Sequence, residues 1–181
     1  MGMGHQPPSD EAIKRAIARD LDEGFTEMVR AHQPGIYAGS LRLLRDRDEA
    51  ADVAQETFLR AYRALESYDD ERIDALRLRP WLWTIAVNLC RSTATRRRPH
   101  TAFDARHEVA TEDAHVDMDD WNRRLELLTA PQRTAVVLRH VADLPIAEIS
   151  EVTGRPGGTV KADISRGLAR LRRTLEAEAL T

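Results

Sequence analysis

The residues best placed to do chemistry lie between Ile146 and Arg173, and that chemistry is recognition rather than catalysis. Thr159, Lys161, Ser165, Arg166, Arg170, Arg172 and Arg173 fall outside a helical stripe made by Val160, Ile164, Leu168 and Leu171. Upstream, Ile146, Ile149 and Val152 form a second apolar stripe, with Pro145 suited to a first helical turn. Gly154 supplies a left-handed helix stop, and Arg155-Pro156-Gly157-Gly158 turns the chain. A short helix across a longer basic one is the geometry of a helix-turn-helix, which lays its second helix in the major groove. Spacing alone fits equally an ordinary helical hairpin with a solvated basic face.

The elements that must carry this segment are also helical. Phe25, Met28, Val29, Ile36, Tyr37, Leu41 and Leu44 make one stripe, which Arg45-Asp46-Arg47-Asp48 breaks or caps. Ala54, Phe58, Ala61, Tyr62 and Leu65 make the next inner face. The charged stretch from Glu66 to Arg79 reads as a loop, and Pro80 sits where a helix can start. Trp81, Leu82, Ile85, Leu89 and Cys90 follow, ending before Pro99. Two tryptophans two residues apart cannot both face inward on a helix; Trp81 is assigned to the core and Trp83 to the surface. Helix resumes with Met118, Trp121, Leu125 and Leu128, and Pro131 opens another with Ala135, Val136 and Leu138 inside. No useful strand alternation is present.

Composition bounds the classes. The 181 residues, 42% hydrophobic and 31% charged, suit a globular chain with one medium core or two small ones. No apolar run approaches the roughly 20 residues of a membrane span, and no secretory signal is visible at the start. Cytoplasmic residence is the expectation. The single cysteine, Cys90, excludes an internal disulfide and a Cys-x-x-Cys metal knuckle. No phosphate-cradling glycine loop or Ser/His/Asp arrangement is present, so neither enzyme activity nor a cofactor or small-molecule substrate is expected. His107 and His115, among acids, leave weak metal binding as a minor alternative.

The net charge of −3 hides its distribution. Arg77, Arg79, Arg91, Arg96, Arg97 and Arg98 form a block without acids. Seven acids lie between Thr101 and Asp120 against Arg106 alone, and basic residues again exceed acids, six to three, from Leu144 to Arg173. Two phosphate-binding surfaces joined by an acidic tether would give this order, since nucleic-acid affinity follows local positive charge. Solvated faces with a polar linker would look similar.

Several segments carry a family likeness. The run from Asp52 to Tyr62 (Asp-Val-Ala-Gln-Glu-Thr-Phe-Leu-Arg-Ala-Tyr) resembles the polymerase-binding helix of region two in bacterial sigma factors. Arg79-Pro80-Trp81-Leu82-Trp83-Thr84-Ile85-Ala86, followed by Asn88, resembles the promoter-melting part of that region. Pro131-Gln132-Arg133, Gly158-Thr159-Val160-Lys161 and Ser165 to Arg172 resemble region four. With only these two regions in a short chain, the sequence is similar to the extracytoplasmic-function (ECF, group four) members of the sigma-70 family.

The resemblance implies an all-α fold: a region-two helical bundle at 24–99 and a region-four helix-turn-helix at 118–175. An acidic flexible linker at 100–117 would join them, with an N-terminal tail and the start of the first helix at 1–23 and a C-terminal tail at 176–181. It implies that Asp52, Gln55, Glu56, Leu59 and Arg60 dock on core RNA polymerase. Arg77, Arg79, Trp83, Asn88, Arg91, Arg96, Arg97 and Arg98 would hold the melted nontemplate strand of the minus-ten element. Arg155, Gly158, Thr159, Lys161, Ser165 and Arg166 would meet minus-thirty-five duplex DNA. An anti-sigma factor is the further partner it implies, and such a partner leaves retention at the membrane open. The acidic linker would follow the polymerase's basic interior channel, although a solvated tether fits its charge as well. Three departures stand out: Ser92 where many members carry Asp, Asp163 where many carry a basic residue, and the long charged loop at 67–79. A carboxylate at Asp163 would either accept from a cytosine amine or repel phosphate.

Overall fold

The computed structural model describes residues 8–97 and 115–179, with side chains over 8–96 and 120–179. The described residues form nine helices and no strand: α1 (Asp10–Arg19), α2 (Leu21–Leu44), α3 (Arg47–Leu65), α4 (Asp70–Ala75), α5 (Leu78–Arg97), α6 (His115–Glu126), α7 (Ala130–His140), α8 (Ile146–Thr153) and α9 (Gly157–Glu178). The all-α expectation holds.

One local device starts most of the first bundle. Asp20, Asp46 and Asp69 each accept the N–H three residues on, at 2.9 Å, opening α2, α3 and α4; Ser9 does the same for α1 at 3.3 Å. Every one is followed by acids in the first turn, which suit the positive end of the helix dipole. Such a cap contributes about 1 kcal/mol. Arg45 closes α2 in the left-handed conformation at φ 61°, so the Arg45–Asp48 break is where the sequence places it.

Two segments differ from expectation. The 1–23 segment, expected to hold a tail and the start of the first helix, contains a separate helix: α1 buries Ile13 and Ile17 in the main core and meets α2 at Gly24. A Cβ on Gly24 would lie 2.2 Å from the Ile17 backbone nitrogen, so only glycine permits that crossing. The stretch 66–79 is not wholly loop. Asp69 caps α4, Ile73 anchors it in the core, and Lys14 Nζ donates to the Asp74 carbonyl at 2.5 Å. With a single apolar anchor, so short a helix has no period to read.

The tryptophan assignment is reversed. Trp83 is 3% exposed and lies in the core, whereas Trp81 is half-buried beside Tyr68, ring centroids 6.2 Å apart. The reason sits on α2. Gly39 leaves a socket for the indole, and a Cβ there would lie 2.2 Å from Trp83 Cη2. Cys90 is also buried, and desolvation pushes its thiol up to about 11, leaving it unreactive near neutrality.

The two bundles are not separate bodies. Leu138, Leu144, Ile149, Val152 and Val160 of the second join Leu78, Leu82, Ala86 and Val87 of α5 in one continuous core. A smaller cluster of Leu125, Leu128, Val136, Val137 and Leu171 holds α6, α7 and α9 together.

Gly39→Ala is expected to lower stability by about 1–3 kcal/mol, because the rigid indole must move to admit a methyl group. Chemical denaturation checks this, and adding Trp83→Phe is expected to recover part of the loss. An unchanged midpoint for Gly39→Ala would contradict the socket.

Candidate nucleic-acid interface

Helix α3 presents two unlike faces. Val53, Ala54, Thr57, Phe58 and Ala61 are buried, while Asp52, Gln55, Leu59 and Arg60 face solvent and Glu56 is half-buried. Arg60 Nε donates to Glu56 Oε1 at 2.6 Å, an i, i+4 pair on the exposed side. Leu59, 40% exposed, is an apolar side chain set among carboxylates and an amide. Tyr62 fixes the helix from behind: its hydroxyl donates to Asp22 Oδ1 at 2.7 Å, and its ring meets Phe25 edge-on at 4.9 Å. The bond to Asp22, which favours the protonated phenol, raises the Tyr62 pKa.

The arginine block on and before α5 divides in two. Asn88, Arg91 and Arg96 are exposed, and Arg96 Nη2 donates to Thr93 Oγ1 at 3.2 Å. Ser92 spends its hydroxyl on the Asn88 carbonyl at 3.0 Å within its own helix. Arg77 and Arg79 are engaged elsewhere. Arg77 Nη1 donates to both carboxylate oxygens of Glu151, at 2.6 and 2.8 Å, and Nη2 donates to Glu148 Oε1 at 2.7 Å. Arg79 donates to the carbonyl of Ala142, just beyond α7. Arg45, just past α2, also pairs with Glu126 of α6. Pairs this exposed contribute about 0.2–1 kcal/mol each, so the apolar core carries most of the packing. The side chain of Arg97, and Arg98 itself, lie outside the described residues, and Trp83 is too deeply buried to meet a base.

The short helix, the turn and the longer basic helix form where the spacing places them. Gly154 stops α8 in the left-handed conformation at φ 67°, Ser150 Oγ donates to the Arg155 carbonyl at 2.5 Å across the turn, and α9 starts at Gly157. The inner face of α9 differs in detail. Val160, Asp163, Gly167 and Leu171 are buried, whereas Leu168 is 37% exposed. Gly167 fits against α7, where a Cβ would meet Val136 Cγ2 at 2.9 Å. That close approach turns Leu168 outward.

Asp163, 5% exposed, therefore faces neither base nor phosphate. Its Oδ2 lies 2.5 Å from Arg155 Nη1, in a contact that is ionic and lacks hydrogen-bond alignment. This inward pairing removes the choice between reading cytosine and repelling phosphate, and it engages one arm of the half-buried Arg155 guanidinium. Gly158, Lys161, Ser165 and Arg166 remain exposed and Thr159 half-buried along the leading end of α9. Arg133, in the segment resembling region four, is structural: its Nε donates to the Leu125 carbonyl at 2.9 Å, and burial lowers its pKa.

Most of the acidic linker lies outside the described residues, His107 included. Asp120 is described, and it is paired with both Arg123 and Arg124. Among the described residues no group of three or more His, Cys, Asp or Glu could hold a metal, and no helix is long and apolar enough to cross a membrane. The sequence reading missed Glu148 and Glu151, because nothing local marks two surface acids as partners of an arginine some seventy residues away.

A helical bundle with a polar, solvent-facing side on α3, packed with a short helix, a turn and a longer basic helix, gives the architecture of a helix-turn-helix DNA-binding protein. Comparison with known proteins gives the family. Residues 28–100 match Sigma-70 region 2 and residues 119–171 match Sigma-70, region 4. The chain is 33% identical to the ECF RNA polymerase sigma factor SigW of Bacillus subtilis (strain 168), covering 90% of this chain and 94% of that one. It is also 33% identical to the RNA polymerase sigma-E factor of Streptomyces coelicolor (strain ATCC BAA-471 / A3(2) / M145), over 86% and 88%. In fold it resembles CnrH, solved in complex with the cytosolic domain of CnrY, with a TM-score of 0.73 at 23% identity over 93% and 97% of the chains. It similarly resembles the sigma factor RpoE of Bartonella quintana, solved with the anti-sigma factor NepR, with a TM-score of 0.72 at 23% identity over 84% and 96%. The chain belongs to the ECF sigma factors of the sigma-70 family, whose members are transcription factors rather than enzymes.

Asp163→Ala strands the part-buried Arg155 guanidinium and is expected to destabilise the helix-turn-helix by about 1–2 kcal/mol. Amide exchange of α8 and α9 checks this, with Asp163→Asn expected to fall between the two. Equal protection in all three proteins would contradict a structural role for the pair.

Proposed function

We propose that this chain binds bacterial core RNA polymerase and directs promoter-specific initiation, reading minus-thirty-five duplex with α9 and holding the melted minus-ten strand with α5 and the segment before it. The observation that supports the reading is that one chain displays both a polar, solvent-facing side on α3 with Leu59 at its centre and an exposed basic side on α9. On α3, Asp52 and Glu56 offer carboxylates to basic side chains of the polymerase, Gln55 offers an amide, and Leu59 gives apolar contact at the centre. Truncating such a centre usually costs more than removing rim charges.

On α9, Gly157 and Gly158 let the DNA backbone approach the first turn, where unsatisfied N–H groups favour phosphate. Lys161 and Arg166 add positive charge, while Thr159 and Ser165 reach phosphate or base edge. For the melted strand, Asn88 offers a base-edge partner, and Arg77, Arg79, Arg91, Arg96, Arg97 and Arg98 offer phosphate contacts that repay unstacking. Trp83 is withdrawn from this set. Trp81, half-buried beside Tyr68, is the aromatic group nearer the surface. An anti-sigma factor that covers these faces is the regulatory partner, and the cytoplasm is where polymerase and promoter would be met.

Leu59→Asp is expected to weaken association with purified core polymerase at least about tenfold, as a charge at a buried interface centre would, without loss of helicity. Co-elution in gel filtration and circular dichroism check both halves. Undiminished co-elution would contradict the α3 assignment. Lys161→Ala is expected to weaken holoenzyme binding to all duplexes alike and to lower the salt dependence by about one ion. A change confined to some sequences would instead make Lys161 a base reader.

A further inference from the structure

The acidic edge of α8 faces the arginines that the function needs. Glu148 and Glu151 are three residues apart on one side of α8 and take both arms of the Arg77 guanidinium, one carboxylate in a forked grip. The same planar fork is what an arginine offers a phosphate, so carboxylates and DNA backbone compete for one set of N–H groups. Arg79 is committed in parallel. It donates to the Ala142 carbonyl beyond α7, at the helix end where carbonyls lack partners and the dipole is negative. Beneath these contacts, Ile149 and Val152 share a core with Leu78 and Leu82, so α8 lies directly on the start of α5. The exposed edge of α9 is left uncovered, with Gly158, Lys161, Ser165 and Arg166 facing solvent.

We propose that the Glu148–Glu151 edge of α8 is an intramolecular docking surface whose occupant is the Arg77–Arg79 segment. In this closed form region four stands in for DNA phosphate and withholds two minus-ten arginines while the duplex-reading edge stays open. Binding that separates the regions releases both arginines at once, since one element holds Arg77 and the turn entering it holds Arg79. The polar contacts are exposed enough to exchange with water and salt, which suits a clasp that must open. The functional consequence rests on the minus-ten assignment above; the clasp itself does not.

Small-angle scattering of the full chain tests the clasp. Glu148→Arg/Glu151→Arg sets cations against Arg77, and the radius of gyration is expected to rise above that of the wild type, with helicity retained. Adding Arg77→Glu reverses the pairing and is expected to restore the compact form. A double variant as compact as the wild type would overturn the clasp. A second arm uses Glu148→Gln/Glu151→Gln and a labelled single-stranded oligodeoxythymidine of about 20 nucleotides. Its affinity for the full chain is expected to rise about three- to tenfold. A control that neutralises two acids away from the interface, Glu66→Gln/Glu176→Gln, is expected to gain less. Expansion in the first arm without a gain beyond the control in the second would overturn the withholding of DNA contacts, and would place the fault in the minus-ten assignment rather than in the clasp.

Discussion

The structure depends on α5 being buried from two sides. On one, Trp83 fills the socket left by Gly39 and ties α5 to α2. On the other, Leu78 and Leu82 meet α8. One twenty-residue helix is thus part of the region-two core and part of the floor on which region four rests. The exposed Asn88, Arg91 and Arg96 lie toward the C-terminal half of α5, while at its start Arg77, also exposed, is ion-paired with Glu148 and Glu151 and Arg79 is half-buried.

That arrangement explains the overall charge. A net charge of −3 offsets the pull of the arginine blocks toward polyanions in general. The acids are not spread evenly. Some cap helices, Glu148 and Glu151 take up Arg77, Asp163 takes up Arg155, and Asp120 takes up Arg123 and Arg124. Lys161 and Arg166, left outward on α9, are the basic groups proposed to meet duplex DNA.

Much of this was legible locally. Helices appear where apolar residues recur at helical spacing, the α3 face emerges from Asp52, Gln55, Glu56 and Leu59 at i, i+3, i+4 and i+7, and Gly154 ends α8 as its position predicts. What escaped depends on neighbours distant in sequence. Which tryptophan is buried is decided by Gly39 on another helix, and whether Asp163 or Leu168 faces inward is decided by how closely α7 approaches Gly167. Helix α4 is too short to carry a period, and α1 earns its place only through its crossing at Gly24. The contact between Arg77 and the α8 glutamates joins surfaces that no local pattern links, so an expectation of two independent modules was natural and the shared core a finding.

The central claim is that the docking face of α3 and the reading edge of α9 serve one act, starting transcription at chosen sites. Sequencing the 5′ ends of RNA made from genomic DNA by core polymerase, with and without the purified chain, tests it most directly. The account predicts a set of defined start sites that appear only with the chain, each preceded by two shared DNA elements at a fixed separation. An identical pattern of RNA ends in both reactions would contradict it.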